Sequence, residues 1–243
     1  MGNGPFALVG MLALAAAVAI AGWLVGDGFA RGRDVDRYVT VKGVAERTVT
    51  ADLAVWPLRF VATGDELTAT QADLGQAAQK VRHFLTAAGV AEDEIEMQRL
   101  EVNDLQANPY RSGPLTTRYI IAQTLMVRST NVQRTVDLSQ RVGELVDAGV
   151  VLGGADAPSS GPYYLFTKLN DLKPEMIAEA TRRAREGAAQ FAADSGSRVA
   201  GIRRASQGVF EILARDNTPG LSEETQVEKT VRVVSTIEYG LAD

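Results

Sequence analysis

RYVTVKGVAERTVTADLAVWPLRFVAT, residues 37–63, is the stretch on which the reading of the fold turns. Arg37 to Val44 alternates polar and apolar side chains, the two-residue period of a half-buried strand. Val49 to Thr63 reads as a second, longer strand. Its middle is apolar on both faces, which places it at the centre of a sheet or at a contact between copies of the chain. Pro57 has no backbone N–H to give to a ladder, so it predicts a bulge or an edge at that point.

Toward the C-terminus the period changes. Thr63-Gly64-Asp65-Glu66 has the form of a capping box, and Leu67, Leu74, Ala78, Val81 and Leu85 then recur at helical spacing up to Gly89. The acidic run Glu92 to Glu96 leads into a strand at 97–105. A loop at 106–116 and a strand at 117–129 complete a hairpin. Asn131 caps a second helix, with Val132, Val136, Ser139, Val142 and Val146 on one face and Gly149 at its end. Residues 150–169 hold two extended pieces broken by GGADAPSSGP. Asn170 or Asp171 caps a third helix, with Pro174 in its first turn and a small-residue stripe of Ile177, Ala180, Ala184, Ala188 and Phe191 up to Gly196. Strands at 198–215 and 226–239 close the chain. This succession is α+β, with long, mostly antiparallel strands and about three helices. A faint internal repeat links Gln79–Val90 with Gln140–Val150, both of them helix ends entering strands, and reads as similar local physics.

Toward the N-terminus, Phe6 to Val25 is an uncharged run of 20 residues. At about 1.5 Å per residue it reaches ~30 Å, the thickness of a bilayer's hydrocarbon core. Residues 1–26 therefore read as a transmembrane signal-anchor, 27–36 (27–32 being DGFARG) as a linker, and 37–243 as one domain. The anchor side chains are Phe6, Leu8, Leu12, Leu14, Val18, Ile20, Trp23, Leu24 and Val25, with Trp23 near the interface. Ala17-Val18-Ala19 and Ala19-Ile20-Ala21 offer signal-peptidase patterns. Against cleavage, the apolar run continues through Val25 and no basic segment precedes it. Phe6 also breaks the myristoylation pattern that Met1-Gly2 opens. Arg31, Arg33, Arg37 and Lys42 follow the span, so the positive-inside rule by itself keeps the domain in the cytoplasm.

Composition narrows the chemistry. The 243 residues carry a net charge of −5, no cysteine and one histidine. No basic stripe is present, which argues against nucleic acid. Without cysteine there are no disulfides, thiol nucleophiles or thiolate metal sites. One imidazole, His83, makes a Ser-His-Asp triad or a multi-histidine metal site improbable within one chain, and His83 reads as a surface residue. Glu92, Asp93, Glu94 and Glu96 lack the spacing of a calcium loop. Gly153-Gly154-Ala155-Asp156 lacks the rest of any phosphate-loop motif. Ser159 and Ser160 have no nucleophile-elbow context. Arg182, Arg183, Arg185, Arg203 and Arg204 form the strongest basic cluster, a candidate for lipid head groups or an acidic partner. Glu175, Glu179 and Glu186 lie near it at pairing distance along a helix. No catalytic, cofactor-binding or metal-binding residue is assigned.

Several segments taken together resemble the SIMPL-domain family of bacterial envelope proteins. They are YVTVKGVAERTVTADLAVW, TAAGVAEDEIE, YIIAQTLMVRSTNVQRTVDL, LFTKLNDLKPEMIAEATRRAREGAAQFAADSGSRVAGIRRASQGVFEI and VEKTVRVVSTIEYGL, spanning about residues 38–241. The resemblance implies an α+β fold and a periplasmic location, against the positive-inside count. It also implies ring- or channel-like homo-oligomers and a link to oxidative or envelope stress, with no catalytic residues to carry over. The expectation is a non-enzymatic, single-pass inner-membrane protein that assembles with itself. A scaffold or binding module for another membrane protein is the alternative. A hydrolase working through paired carboxylates is the third reading.

Overall fold

The computed structural model describes residues 4–32, 37–107, 116–153 and 161–242. Their contacts divide the chain into two compact units. One comprises 1–43, 180–207 and 235–243; the other comprises 44–179 and 208–234.

The larger unit is built on a five-stranded sheet. Strand β1 (Tyr38–Thr50) begins in the smaller unit and leads, after a break at Ala51 and Asp52, into β2 (Leu53–Gly64). The expected short strand at 37–44 is thus the start of a longer one. Helix α2 (Leu67–Ala87) follows, then β3 (Ile95–Asp104) and β4 (Tyr119–Ser129). Next come α3 (Val132–Gln140), α4 (Gly143–Asp147), β5 (Val151–Leu152) and β6 (Tyr163–Leu165). The sheet order is β3-β4-β2-β5, with β6 also on β2, and every observed pairing is antiparallel.

This order is that of two split β-α-β halves, the ferredoxin-like arrangement. Strands β2 and β3 flank α2, while β4 and β5 flank α3 and α4. The partners interleave, so that exchanging the halves reverses the strand order and leaves it otherwise unchanged. The faint repeat falls at equivalent places in the two halves. Leu85 and Leu145 are buried, and each carbonyl accepts from the N–H of a buried valine, Val90 at 3.1 Å and Val150 at 2.9 Å. Between each pair stands a glycine with positive φ, Gly89 at 85° and Gly149 at 82°. That conformation suits glycine and turns each helix into its next strand.

All the helices of this sheet pack on one face. Leu74, Val81 and Leu85 from α2, with Leu138 and Leu145, bury Trp56, Leu58, Phe60, Leu125 and Val127. Each fully buried side chain of this size contributes about 1.5–3 kcal/mol. Strand β2 is central, so of the two expectations for its two-sided apolar pattern the structure takes the first. No bulge interrupts its register with β4 at Pro57. The proline sits instead in a gap on the other edge, between the β6 pairing at 53–55 and the β5 pairing at 60–61. Residues two apart in a strand turn their backbone groups the same way. The Arg59 carbonyl accepts from Gly153 N–H on the β5 side at 2.8 Å, so the N–H missing at Pro57 would have pointed into that gap.

Several other expectations are corrected. Helix α1 (Gly4–Gly32) continues through residues 27–32 of the expected linker, where no proline stops it, while 33–36 lie outside the described residues. The cap of α2 is Glu66, whose Oε2 accepts from Ala69 N–H at 2.8 Å; Thr63 stays in β2. The second helix is two helices, broken at Arg141 and Val142. Its buried face is Val132, Thr135, Leu138 and Leu145 rather than the valine stripe. Helix α5 (Leu169–Asp194) starts early enough that Pro174 is its sixth residue. It buries Met176, Ala180, Ala184, Ala188 and Ala192, so the alanines are as expected and the two ends of the stripe shift by one. The expected strand at 198–215 is two strands, β7 (Arg198–Gln207) and β8 (Glu211–Ala214). Both pair with β9 (Glu228–Ala242), at its 235–242 and 229–232 portions respectively. Loop residues 108–115 and most of GGADAPSSGP lie outside the described residues.

The smaller unit has its own core. Val39, Ala184, Ala188, Ile237 and Tyr239 are buried together, with Val41, Val199 and Leu241 against them.

Candidate functional site

The five-stranded sheet has one face covered by helices. Its other face is set by the same register. Pro57 stands opposite Met126, Arg59 opposite Thr124, and Val61 opposite Ala122. On the far side of β4, Glu96 stands opposite Met126 and Glu101 opposite Ala122. Val55, Pro57, Val61 and Met126 are half-buried on this face.

An ion-pair chain crosses the apolar rows. Arg59 Nη1 donates to Glu101 Oε2 at 2.7 Å, and Arg99 Nη2 donates to Glu101 Oε1 at 2.9 Å. The Arg59 hydrogen bond, seconded by Arg99, holds the Glu101 carboxyl below the usual carboxylate range. A carboxylate so stabilised is a poor general base. Arg59 Nε is buried without a hydrogen-bond partner among the described residues. Beside the chain lies a shallow hollow of about 320 Å³ lined by Gln98, Arg99, Glu101, Thr124 and Met126. The chemistry on this face suits recognition: apolar surface interleaved with charges of both signs.

A second hollow, about 300 Å³, lies between α2 and α4 and contains His83, Phe84, Arg141 and Glu144. Lys80, on its wall, serves a helix end: its Nζ donates to the Ala148 carbonyl at 2.9 Å. Elsewhere Arg134 Nη1 donates to the Gly89 carbonyl at 2.5 Å. These are favourable placements of positive charge at helix C-termini. Arg141 binds both Glu144 oxygens, at 2.8 and 3.1 Å.

The residues singled out from sequence are dispersed. Leu12, Leu14, Val18, Ile20, Trp23, Leu24 and Val25 are exposed along α1, a helix long and apolar enough to cross a membrane. That fits a single-pass anchor and a signal sequence alike. Phe6 and Leu8 lie in the same helix, with side chains outside the described residues. His83 is exposed. In the acidic run, Glu92 pairs with Arg82 at 2.5 Å and Glu94 accepts from Ala91 N–H at 3.0 Å. No group of three potential metal ligands gathers among the described residues. Arg182 pairs with Glu186 at 2.8 Å, as helical spacing suggests, but Glu175 and Glu179 turn instead to Arg47 on β1. Arg203 lies over the Tyr38 ring at 5.3 Å. Gly154, Ala155, Asp156, Ser159 and Ser160 lie outside the described residues. Arg59 and Glu101 were not singled out. The available signal was one charge, Arg59, at an outward position of an otherwise apolar strand.

A family model matches residues 39–239, from the first core residue of β1 to near the end of β9; it is SIMPL, described as a protein of unknown function (DUF541). The chain belongs to the SIMPL family. No curated protein matches it. The SIMPL match runs through both compact units and excludes α1, so the apolar helix is an addition to the SIMPL domain in this chain.

Proposed function

We propose that this SIMPL protein is a single-pass, non-enzymatic protein of the bacterial inner membrane, with its domain in the periplasm, and that it works by assembling with copies of itself. The observation that carries the reading is the face of the five-stranded sheet that no helix among the described residues covers. Half-buried Val55, Pro57, Val61 and Met126 stand there beside Arg59, Arg99 and Glu101. A contact between identical subunits about a two-fold axis must be complementary to itself. Interleaved charges of both signs on an apolar ground meet that demand, whereas a patch of one sign would repel its copy. Helix α1, apolar and exposed from Gly10 to Gly26, supports the anchor. Two differently tagged copies expressed in one cell test the assembly: purification through one tag recovers the other. If the second tag never co-purifies, the reading is wrong. Protease added to spheroplasts tests the orientation, and cleavage of the domain without lysis is the expected result.

A further inference from the structure

We infer that the contact between copies is made by β3, which pairs antiparallel with β3 of a second copy and joins the two five-stranded sheets into one. The inference rests on the self-assembly reading above and places the contact at the β3 edge of that sheet, where Arg99 and Glu101 of the open face stand. Among the described residues, strand β3 is the outermost on its side of the sheet. The opposite edge is protected, because it is made of the two- and three-residue strands β5 and β6. Short strands, prolines, charged side chains and bulges are the usual ways of blunting an edge. Strand β3 carries a bulge and charges of both signs, but it is ten residues long, IEMQRLEVND, with neither proline nor lysine, so most of its outer backbone is open to a partner strand.

Its one irregularity gathers apolar side chains. In a regular strand Met97 and Leu100 would point to opposite faces. The bulge between them puts Met97 opposite Leu125, Leu100 opposite Gln123 and Val102 opposite Ile121, all on the helix-covered face. Leu125 and Ile121 are buried in the core, while Met97, Leu100 and Val102 are 47%, 40% and 52% exposed. They extend the core's rows outward past its rim. The side chains of Arg99 and Glu101 favour one register. With the two-fold axis at Leu100, Arg99 of each copy faces Glu101 of the other, giving two attractive pairs beside the axis; at the strand ends Glu96 faces Asp104, whose charge is already held by Arg118 of its own chain at 3.0 Å. An axis at 99 or at 101 sets like charges directly against each other.

The chain has no cysteine, so Leu100→Cys supplies a single thiol. Opposed residues in antiparallel strands lie about 4.5–5.5 Å apart at Cα, within disulfide range. The full chain in mild detergent, treated with diamide, is expected to give a covalent dimer from Leu100→Cys. Val146→Cys, more exposed than Leu100 but on α4, is expected to give none. Leu100→Lys with Val102→Lys is expected to reduce the mass of the complex while leaving its thermal midpoint within a few degrees. A multimer by light scattering in which Leu100→Cys stays uncross-linked overturns the β3 contact and leaves self-assembly standing. A monomer at every concentration overturns both.

Discussion

A β-carbon on Gly43 would stand 2.6 Å from the Ala184 backbone nitrogen and overlap the Ala180 carbonyl oxygen. Both obstacles are backbone, which cannot turn aside as a side chain can. Gly43→Ala is therefore expected to destabilise by at least about 1–3 kcal/mol, the range for overpacking. Gly75, inside α2, has nothing within 4 Å of its would-be β-carbon, so Gly75→Ala is expected to stabilise by about 1 kcal/mol. Thermal unfolding of both variants in detergent checks the contrast. Asp52 gives a second prediction. Burial alone would push its carboxyl up, but hydrogen bonds from Thr167 N–H at 2.7 Å and Thr167 Oγ1 at 2.8 Å outweigh that and hold it below the usual range. A depressed carboxyl contributes stability that is complete above the unfolded value, about 3.9, and is lost as pH falls through the folded one. Asp52→Asn is therefore expected to cost about 1–2 kcal/mol at neutral pH. The gap between wild type and variant should close below about pH 4, which unfolding curves across pH would show. Neither residue was singled out from sequence. Gly43 reads as one more small residue in a strand, because its crowding comes from α5, some 140 residues later. Asp52 reads as a turn residue, because its partner is 115 positions away.

At the scale of elements, local signals were legible where they are self-contained. Asn131 was read as a cap, and its Oδ1 accepts from Arg134 N–H at 3.0 Å. Asn131→Ala is expected to lower stability by about 1 kcal/mol, measurable as a shift in the thermal midpoint. Gly89, Gly149 and Gly196 were read as helix ends, and all three have positive φ. The alanine stripe of α5 was legible for the same reason: its spacing points to one face whatever packs there. Elements failed to read where two patterns competed. In 132–146 a valine stripe and a leucine-threonine stripe both fit a helix. The break at Arg141 and Val142 lets Leu138 and Leu145 face the core together. The split between β7 and β8 follows from Gly208, whose N–H donates to the Val234 carbonyl at 2.8 Å and whose β-carbon would meet that oxygen at 2.7 Å. A strand read alone does not reveal what its neighbour forbids.

At the scale of the whole molecule, the α+β class, the hairpin of β3 and β4 and the apolar N-terminal helix were all legible, because each is a matter of period and length. The ferredoxin-like order was not, since it depends on which strands lie side by side rather than on what each contains. The candidate face was half legible: the two-sided apolar pattern of β2 marked it, but Arg59 and Glu101 meet only through the register. The central claim, that this SIMPL protein functions as an assembly of copies, is a claim about mass. Light scattering corrected for detergent, on the full chain extracted gently from membranes and followed through a dilution series, measures it directly. The account predicts a uniform complex at an integral multiple of the 26.0 kDa chain. A particle that weighs one chain at every concentration would contradict it.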